Sequence, residues 1–134
     1  MSGRMSQYWV LTVPNPSDDV QRSYWQELLE AGVLQYAKVA YEIADSGLHH
    51  LQCYVIFTAR KRFSSVKKLF PAAHIEPRYG THSEAKEYPG KPDKGGSILW
   101  VDEYGTDVGV PEQSGERTDV SATDNEVKPV QPAA

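Results

Sequence analysis

The sequence predicts an α+β domain, with helices packed on an antiparallel sheet of five strands. Three observations lead there. Five segments carry β-branched and aromatic residues or apolar alternation at strand spacing. The two most regular, 36–43 and 49–57, flank Asp45-Ser-Gly47, a turn signal that makes an antiparallel hairpin the economical connection. Three other stretches carry helix start and stop signals, giving the order strand, helix, strand, strand, helix, strand, helix, strand.

Residues 7–13, Gln-Tyr-Trp-Val-Leu-Thr-Val, form the first strand, and Pro14-Asn-Pro16 ends it because two prolines remove ladder donors and fix φ. Ser17 is placed to cap a helix, with Asp18 and Asp19 in the first turn where the dipole favours negative charge. Val20, Tyr24, Leu28 and Ala31, with Trp25 and Leu29 beside them, make an apolar stripe that faces a core, and Gly32 stops the helix.

In the hairpin, Ala37, Val39, Tyr41 and Ile43 share one face, and Leu51, Cys53, Val55 and Phe57 share another. Thr58-Ala-Arg-Lys-Arg-Phe63 is a basic lead into a helix over about 63–70, with Phe63, Val66 and Phe70 inward, Lys67 and Lys68 outward, and Pro71 ending it. Residues 73–79 form a short strand that Pro77 confines to an edge, with His74 and Glu76 read as a solvent-facing pair. Thr81-His-Ser-Glu84 is a capping box. Its helix is barely two turns long, because Pro89 biases Tyr88 away from α geometry and leaves that hydroxyl at the helix end. A last strand covers roughly 97–102.

A chain of 134 residues can bury one core, and the composition divides it at about residue 106 into a domain and an acidic, disordered tail or linker over 107–134. Residues 1–100 hold 12 basic against 10 acidic residues, and 101–134 hold 2 against 8. The formal charge of −4 therefore belongs to the tail, while 58–94, with 9 basic and 4 acidic residues, leaves room for a local basic surface. Those cations meet phosphates or merely keep the chain in solution; their position relative to a reactive centre decides between the two. The single Cys53 excludes an intrachain disulfide, and no apolar run is long enough to span a bilayer, so a soluble protein is expected.

The chemistry concentrates at the hairpin. If its register sets Glu42 opposite His50, their Cβ atoms lie about 5 Å apart and Gln52 falls one step along the same face. One carboxylate, one imidazole and one amide carbonyl suit a hard ion such as Mg²⁺ or Mn²⁺. The same three residues would also suit the wet face of an ordinary surface hairpin. Alternation puts the adjacent His49 on the Leu51 face, away from this cluster.

With these residues placed, the chain resembles the HUH endonuclease domain of rolling-circle replication initiators, the Rep proteins of circular single-stranded DNA viruses, especially the circovirus-like group. The resemblance covers about residues 7–105. Leu11-Thr-Val-Pro-Asn-Pro16 is similar to the first motif, although Pro14 stands where the family usually has Asn. His50-Leu-Gln52 is similar to the metal motif, with Glu42 upstream as the third ligand, and Glu87-Tyr-Pro-Gly-Lys91 to the nucleophile motif Tyr-x-x-Lys.

That resemblance implies a ferredoxin-like HUH fold, initiation of replication in a host nucleus, and nicking and joining of single-stranded DNA at a viral origin stem-loop. In it Glu42, His50 and Gln52 hold the divalent metal, Tyr88 is the nucleophile that becomes a 5′-phosphotyrosine, and Lys91 contacts the phosphate or phenolate. Expected DNA contacts, through phosphate pairing and base stacking, are Tyr8, Asn15, Arg60, Lys61, Arg62, Lys67, Lys68 and Arg78. Gly115-Glu-Arg-Thr-Asp-Val120 resembles the lead into the oligomerisation and helicase region of full-length Reps, which implies self-association through a region absent here. No Gly-x-x-x-x-Gly-Lys loop is present, so ATP-driven unwinding is not expected of this segment. Two other classes remain open: a non-catalytic ferredoxin-like nucleic-acid module, and a relaxase or transposase of the same HUH group. The first would show stacking aromatics on its central strands; the second tends to carry His where Gln52 stands.

Overall fold

The computed structural model describes residues 5–16, 18–91 and 95–113, without side chains for 18–21. Ser17 and the segment 114–134 with Gly115–Val120 lie outside these described residues, as do the side chains of Asp18, Asp19 and Val20. Eight elements follow one another: β1 (Met5–Pro14), α1 (Asp18–Glu30), β2 (Leu34–Ile43), β3 (His49–Arg62), α2 (Phe63–Leu69), β4 (His74–Pro77), α3 (His82–Glu87) and β5 (Ser97–Gly105). The strands form one sheet in the order β4-β1-β3-β2-β5, with every neighbouring pair antiparallel. This is the α+β, ferredoxin-like arrangement that the sequence predicts.

β3 takes the centre because both of its faces can be buried, and Leu51 to Phe57 are buried without a break. Its odd-numbered residues, with Trp9, Leu11 and Val13 of β1 and Val39 of β2, pack against Trp25, Leu28, Val66 and Phe70 of the α1/α2 layer. Trp25 stacks on Phe70 with ring centroids 5.0 Å apart. Each such large apolar side chain contributes about 1.5–3 kcal/mol. Cys53 lies at the middle of this core, wholly buried, and desolvation pushes its thiol far up from the usual range. On the opposite face a smaller cluster of Tyr8, Tyr36, Tyr54, Ile56 and Ala85 seats α3. The side of the hairpin that reads as solvent-facing is thus half covered.

Two expectations need correcting. The strand expected over 49–57 runs on through the basic lead to Arg62, because Met5 and Ser6 continue the ladder to Arg62 and Lys61. α2 consequently begins at Phe63, whose ring is exposed, and Val66 is the residue it buries. Pro77 ends β4, an edge strand, as its missing N–H requires. Among the described residues no helix is long and apolar enough to cross a membrane.

Candidate functional site

Glu42 and His50 are direct partners across the β2–β3 hairpin, and Ala40 faces Gln52 one step along. Oε1 of Glu42 lies 3.0 Å from Nε2 of His50. The Glu42 carboxylate is buried at 4% exposure, which is costly for a charge unless its oxygens are bonded. Both are: Oε2 accepts the backbone N–H of Gly90 at 2.9 Å. Gln52 is equally fixed, donating through Nε2 to the Leu11 carbonyl at 3.3 Å and accepting from the Thr12 hydroxyl at 3.2 Å. Its amide orientation follows, with Oε1 on the Thr12 side. His49 turns to the other face, where its Nδ1 meets the Tyr41 hydroxyl at 2.7 Å.

Thr81 caps α3 by accepting from the Glu84 N–H, and the Glu84 side chain accepts from Thr81 in return, the reciprocal box its sequence encodes. Tyr88 is the C-cap and, against the expectation drawn from Pro89, keeps helical geometry at φ −62° and ψ −47°, with the residue 53% exposed. Pro89 is buried and Gly90 takes φ +90°, a conformation strained for any side chain. A Cβ there would also press on Val101 of β5 at 3.2 Å. The turn that this glycine permits brings the N–H two residues past Tyr88 onto Glu42. Lys91 returns its N–H to the Tyr88 carbonyl at 3.3 Å, while its amine points back to Glu87, 3.8 Å away.

The expected DNA-contact residues divide into three groups. Asn15 is exposed in the left-handed region at φ +48°, and its N–H reaches the carbonyl of His49, beside His50. Arg60, Lys61 and Arg62 lie at the far end of β3. From His50 to Phe57 alone the strand runs about 23 Å, at roughly 3.3 Å per residue. Arg60, Arg62 and Lys68 are exposed, Lys61 lies over the Phe57 ring, and Lys67 donates to the Ala73 carbonyl. Tyr8 and Arg78, by contrast, are buried, at 7% and 5% exposure. The Arg78 guanidinium covers the Tyr8 ring at 4.3 Å and donates to the Tyr54 hydroxyl and the Glu112 carbonyl. These two are corrected from DNA contacts to internal supports. His74 and Glu76 stand as an exposed pair at 2.9 Å, His74 opposite Thr12.

Sequence reasoning missed a polar cluster under α3. Nδ1 of His82 lies 2.8 Å from the Tyr54 hydroxyl and Nε2 lies 2.9 Å from Oδ2 of Asp107, which also accepts from Lys86 at 2.7 Å. Lys86 holds the Asp107 carboxyl below the usual range, and Asp107 in turn raises Lys86. Burial pushes the Tyr54 phenol up, against the pull of Arg78. No sequence signal links residues 54, 82 and 107. The expected division at 106/107 falls inside this hydrogen bonding. Among the described residues no group of three or more His, Cys, Asp and Glu gathers as a metal cluster, so an ion at Glu42 and His50 would need the Gln52 carbonyl as its third protein donor.

The chain matches the family described as "Putative viral replication protein" over residues 6–92. It is similar to the replication-associated protein of beak and feather disease virus, 35% identical over 83 residues, 62% of this chain and 28% of that protein. To the pigeon circovirus replication-associated protein it is 30% identical over 84% of this chain and 32% of that protein. To the master replication protein of milk vetch dwarf virus it is 34% identical over 72% of this chain and 30% of that protein. The chain therefore spans about a third of the length of these relatives. Within that span it belongs to the Rep proteins of circular single-stranded DNA viruses, as their HUH domain.

Proposed function

We propose that this domain acts in viral DNA replication by nicking and rejoining single-stranded DNA at a viral origin, with Tyr88 as the nucleophile. One observation carries the reading: Glu42 is shared between His50 across the hairpin and Gly90, two residues beyond Tyr88. The exposed tyrosine thus begins a segment tied to the residues proposed as metal ligands.

The donor set fits a divalent ion. Nε2 of His50 shares its proton with Glu42 in the metal-free site; with the imidazole proton moved to Nδ1, His50 would present a lone pair at Nε2, next to a carboxylate and an amide whose carbonyl is held by Thr12. Mg²⁺ or Mn²⁺ held by Glu42, His50 and Gln52 would supply Lewis acidity toward a phosphate oxygen. Tyr88 Oη forms a bond to phosphorus, the P–O3′ bond breaks, and the phenolic proton is lost while the departing O3′ gains one. The products are a 5′-phosphotyrosine and a free 3′-hydroxyl. Because a phenolate leaves more readily than an alkoxide, the reverse attack reseals the strand. Among the described residues Lys91 is tethered by a screened surface pair with Glu87, which leaves its amine able to swing to the phosphate. Asn15 beside His50 and the cations at 60–62, 67 and 68 serve as DNA contacts, reached by a strand that runs beyond the nick.

The test is a denaturing gel of the protein with Mn²⁺ and origin-loop oligonucleotides, beside Tyr88→Phe and an EDTA control. A heat-stable shifted band requiring both Tyr88 and metal is the expected result. An adduct that survives Tyr88→Phe would remove Tyr88 from the role. Confirmed oligonucleotide binding without any adduct would leave a non-catalytic nucleic-acid module as the better reading.

A further inference from the structure

We propose that residues 106–113 form a strap that positions α3, and through it Tyr88, with Asp107 and Glu112 as the positioning residues. The proposal rests on the reading of Tyr88 as nucleophile.

α3 needs such support. A helix of six residues is too short to persist on its own, and it buries only His82 and Ala85 against the sheet. From the sheet itself it receives two hydrogen bonds, one between the Tyr54 hydroxyl and Nδ1 of His82 and one from Lys38 Nζ to the Lys86 carbonyl, both at 2.8 Å. The strap meets it at both ends. At the first turn, the Glu112 carbonyl accepts the His82 N–H at 2.9 Å, and the Glu112 carboxylate accepts the Ser83 N–H at 2.9 Å and the Ser83 hydroxyl at 2.6 Å. At the last turn, Asp107 holds Lys86 at 2.7 Å while also meeting His82 at 2.9 Å. Two N–H groups that a helix start leaves without intrahelical acceptors are satisfied in this way.

The strap is itself anchored. Gly105 turns at φ +77°, where a Cβ would collide with the Gln35 carbonyl, and Thr106 N–H then donates to that same carbonyl at 3.2 Å. Val110 N–H returns to the Asp107 carbonyl at 3.1 Å, and the Val110 side chain joins the tyrosine cluster beneath α3. Arg78 adds a crosslink from the Glu112 carbonyl to Tyr54 on the central strand. The helix carrying Tyr88 at its C-cap is therefore clamped between the sheet and the strap. A shift of the strap tilts that helix, and Tyr88 moves relative to Glu42 and His50.

The experiment compares the full chain with Asp107→Ala/Glu112→Ala and with the conservative Asp107→Asn/Glu112→Gln, which keeps acceptors at both positions. Amide hydrogen exchange and single-turnover adduct formation at saturating oligonucleotide are read side by side. In the alanine pair, residues 82–88 are expected to exchange at least tenfold faster while β1 and β3 do not change. Adduct formation should fall at least tenfold with oligonucleotide affinity unaltered, and the conservative pair should restore most of both. Unchanged exchange at 82–88 would overturn the strap. Faster exchange with an unchanged adduct rate would overturn its role in positioning Tyr88. If the wild-type chain formed no Tyr88 adduct at all, the nuclease reading would fall, and the exchange measurement would still decide whether the strap holds α3.

Discussion

The backbone N–H of Gly90 and the imidazole of His50 occupy the two oxygens of Glu42, at 2.9 and 3.0 Å. A buried carboxylate is thereby fully bonded, and the bonds come from opposite sides of the site: one from the hairpin, one from the segment after Tyr88. Replacing Glu42 by Ala strands the Gly90 N–H and removes the acceptor from His50. Stability should drop by about 1–3 kcal/mol. Urea unfolding measures this, and an unchanged midpoint would mean that the Gly90 contact is not formed in solution. Metal-dependent cleavage should be lost in the same variant.

Thr12→Val removes the hydroxyl that holds Oε1 of Gln52. An outer partner of a metal ligand is typically worth 10–100-fold in affinity, and a weakening of that order is expected for Mn²⁺. Calorimetric titration reads it directly. Equal affinity for both proteins would separate Gln52 from the ion.

Reversing Arg60 and Arg62 to Glu should weaken binding of long oligonucleotides and flatten its salt dependence, by about 0.7 in log–log slope per lost phosphate contact. Oligonucleotides too short to reach the far end of β3 should bind as before. Fluorescence anisotropy across a length series distinguishes the two, and equal losses at every length would contradict the separation along the strand.

Arg78→Leu is expected to act on stability and not on salt dependence. It leaves the Tyr54 hydroxyl without its donor and uncovers the Tyr8 ring, for a loss of about 1–3 kcal/mol. A large change in the salt slope of DNA binding, with stability intact, would return Arg78 to the surface.

The strap has a definite pH response. Lys86 lowers the Asp107 carboxyl and Ser83 lowers that of Glu112. A depressed carboxyl adds stability that is fully present above its unfolded value, about 4. That stability is lost as pH falls through the lower folded value. The raised Lys86 amine acts only at the alkaline end, its contribution lost as pH climbs through its folded value. His82, Tyr54, Tyr36, Glu103 and Arg78 face the same cluster. Hydrogen exchange at 82–88 should therefore be constant from neutral pH down to about 4 once the intrinsic rate is corrected, and accelerate below it. Protection that persists undiminished to pH 2 would contradict the Asp107 and Glu112 contacts.

The sheet was legible because its signals are local. Alternation in 36–43 and 49–57, with a turn between them, is enough to set Glu42 opposite His50, and Thr81 with Glu84 is enough to start α3. What stayed hidden depends on tertiary approach. Nothing in Pro89-Gly90 says that its N–H will fold onto a residue 48 positions earlier, and an Asp in an acidic stretch after the last strand looks like tail composition until His82 and Lys86 are seen beside it. Tyr8 and Arg78 were misplaced for a related reason. Their types suit DNA, but the second face of β3 is covered, and a cation and a ring that fall under α3 are used to fill it.

Cys53 is the sole cysteine of the 134 residues and lies wholly inside the sheet's core. Burial also keeps its thiol protonated, and it is the thiolate that reacts. To alkylating dyes the folded chain is therefore silent. A cysteine introduced at an exposed position whose side chain makes none of these contacts, such as Val108→Cys, would be the one site to take a label, so a spectroscopic reporter can be placed on the strap without first removing a native cysteine.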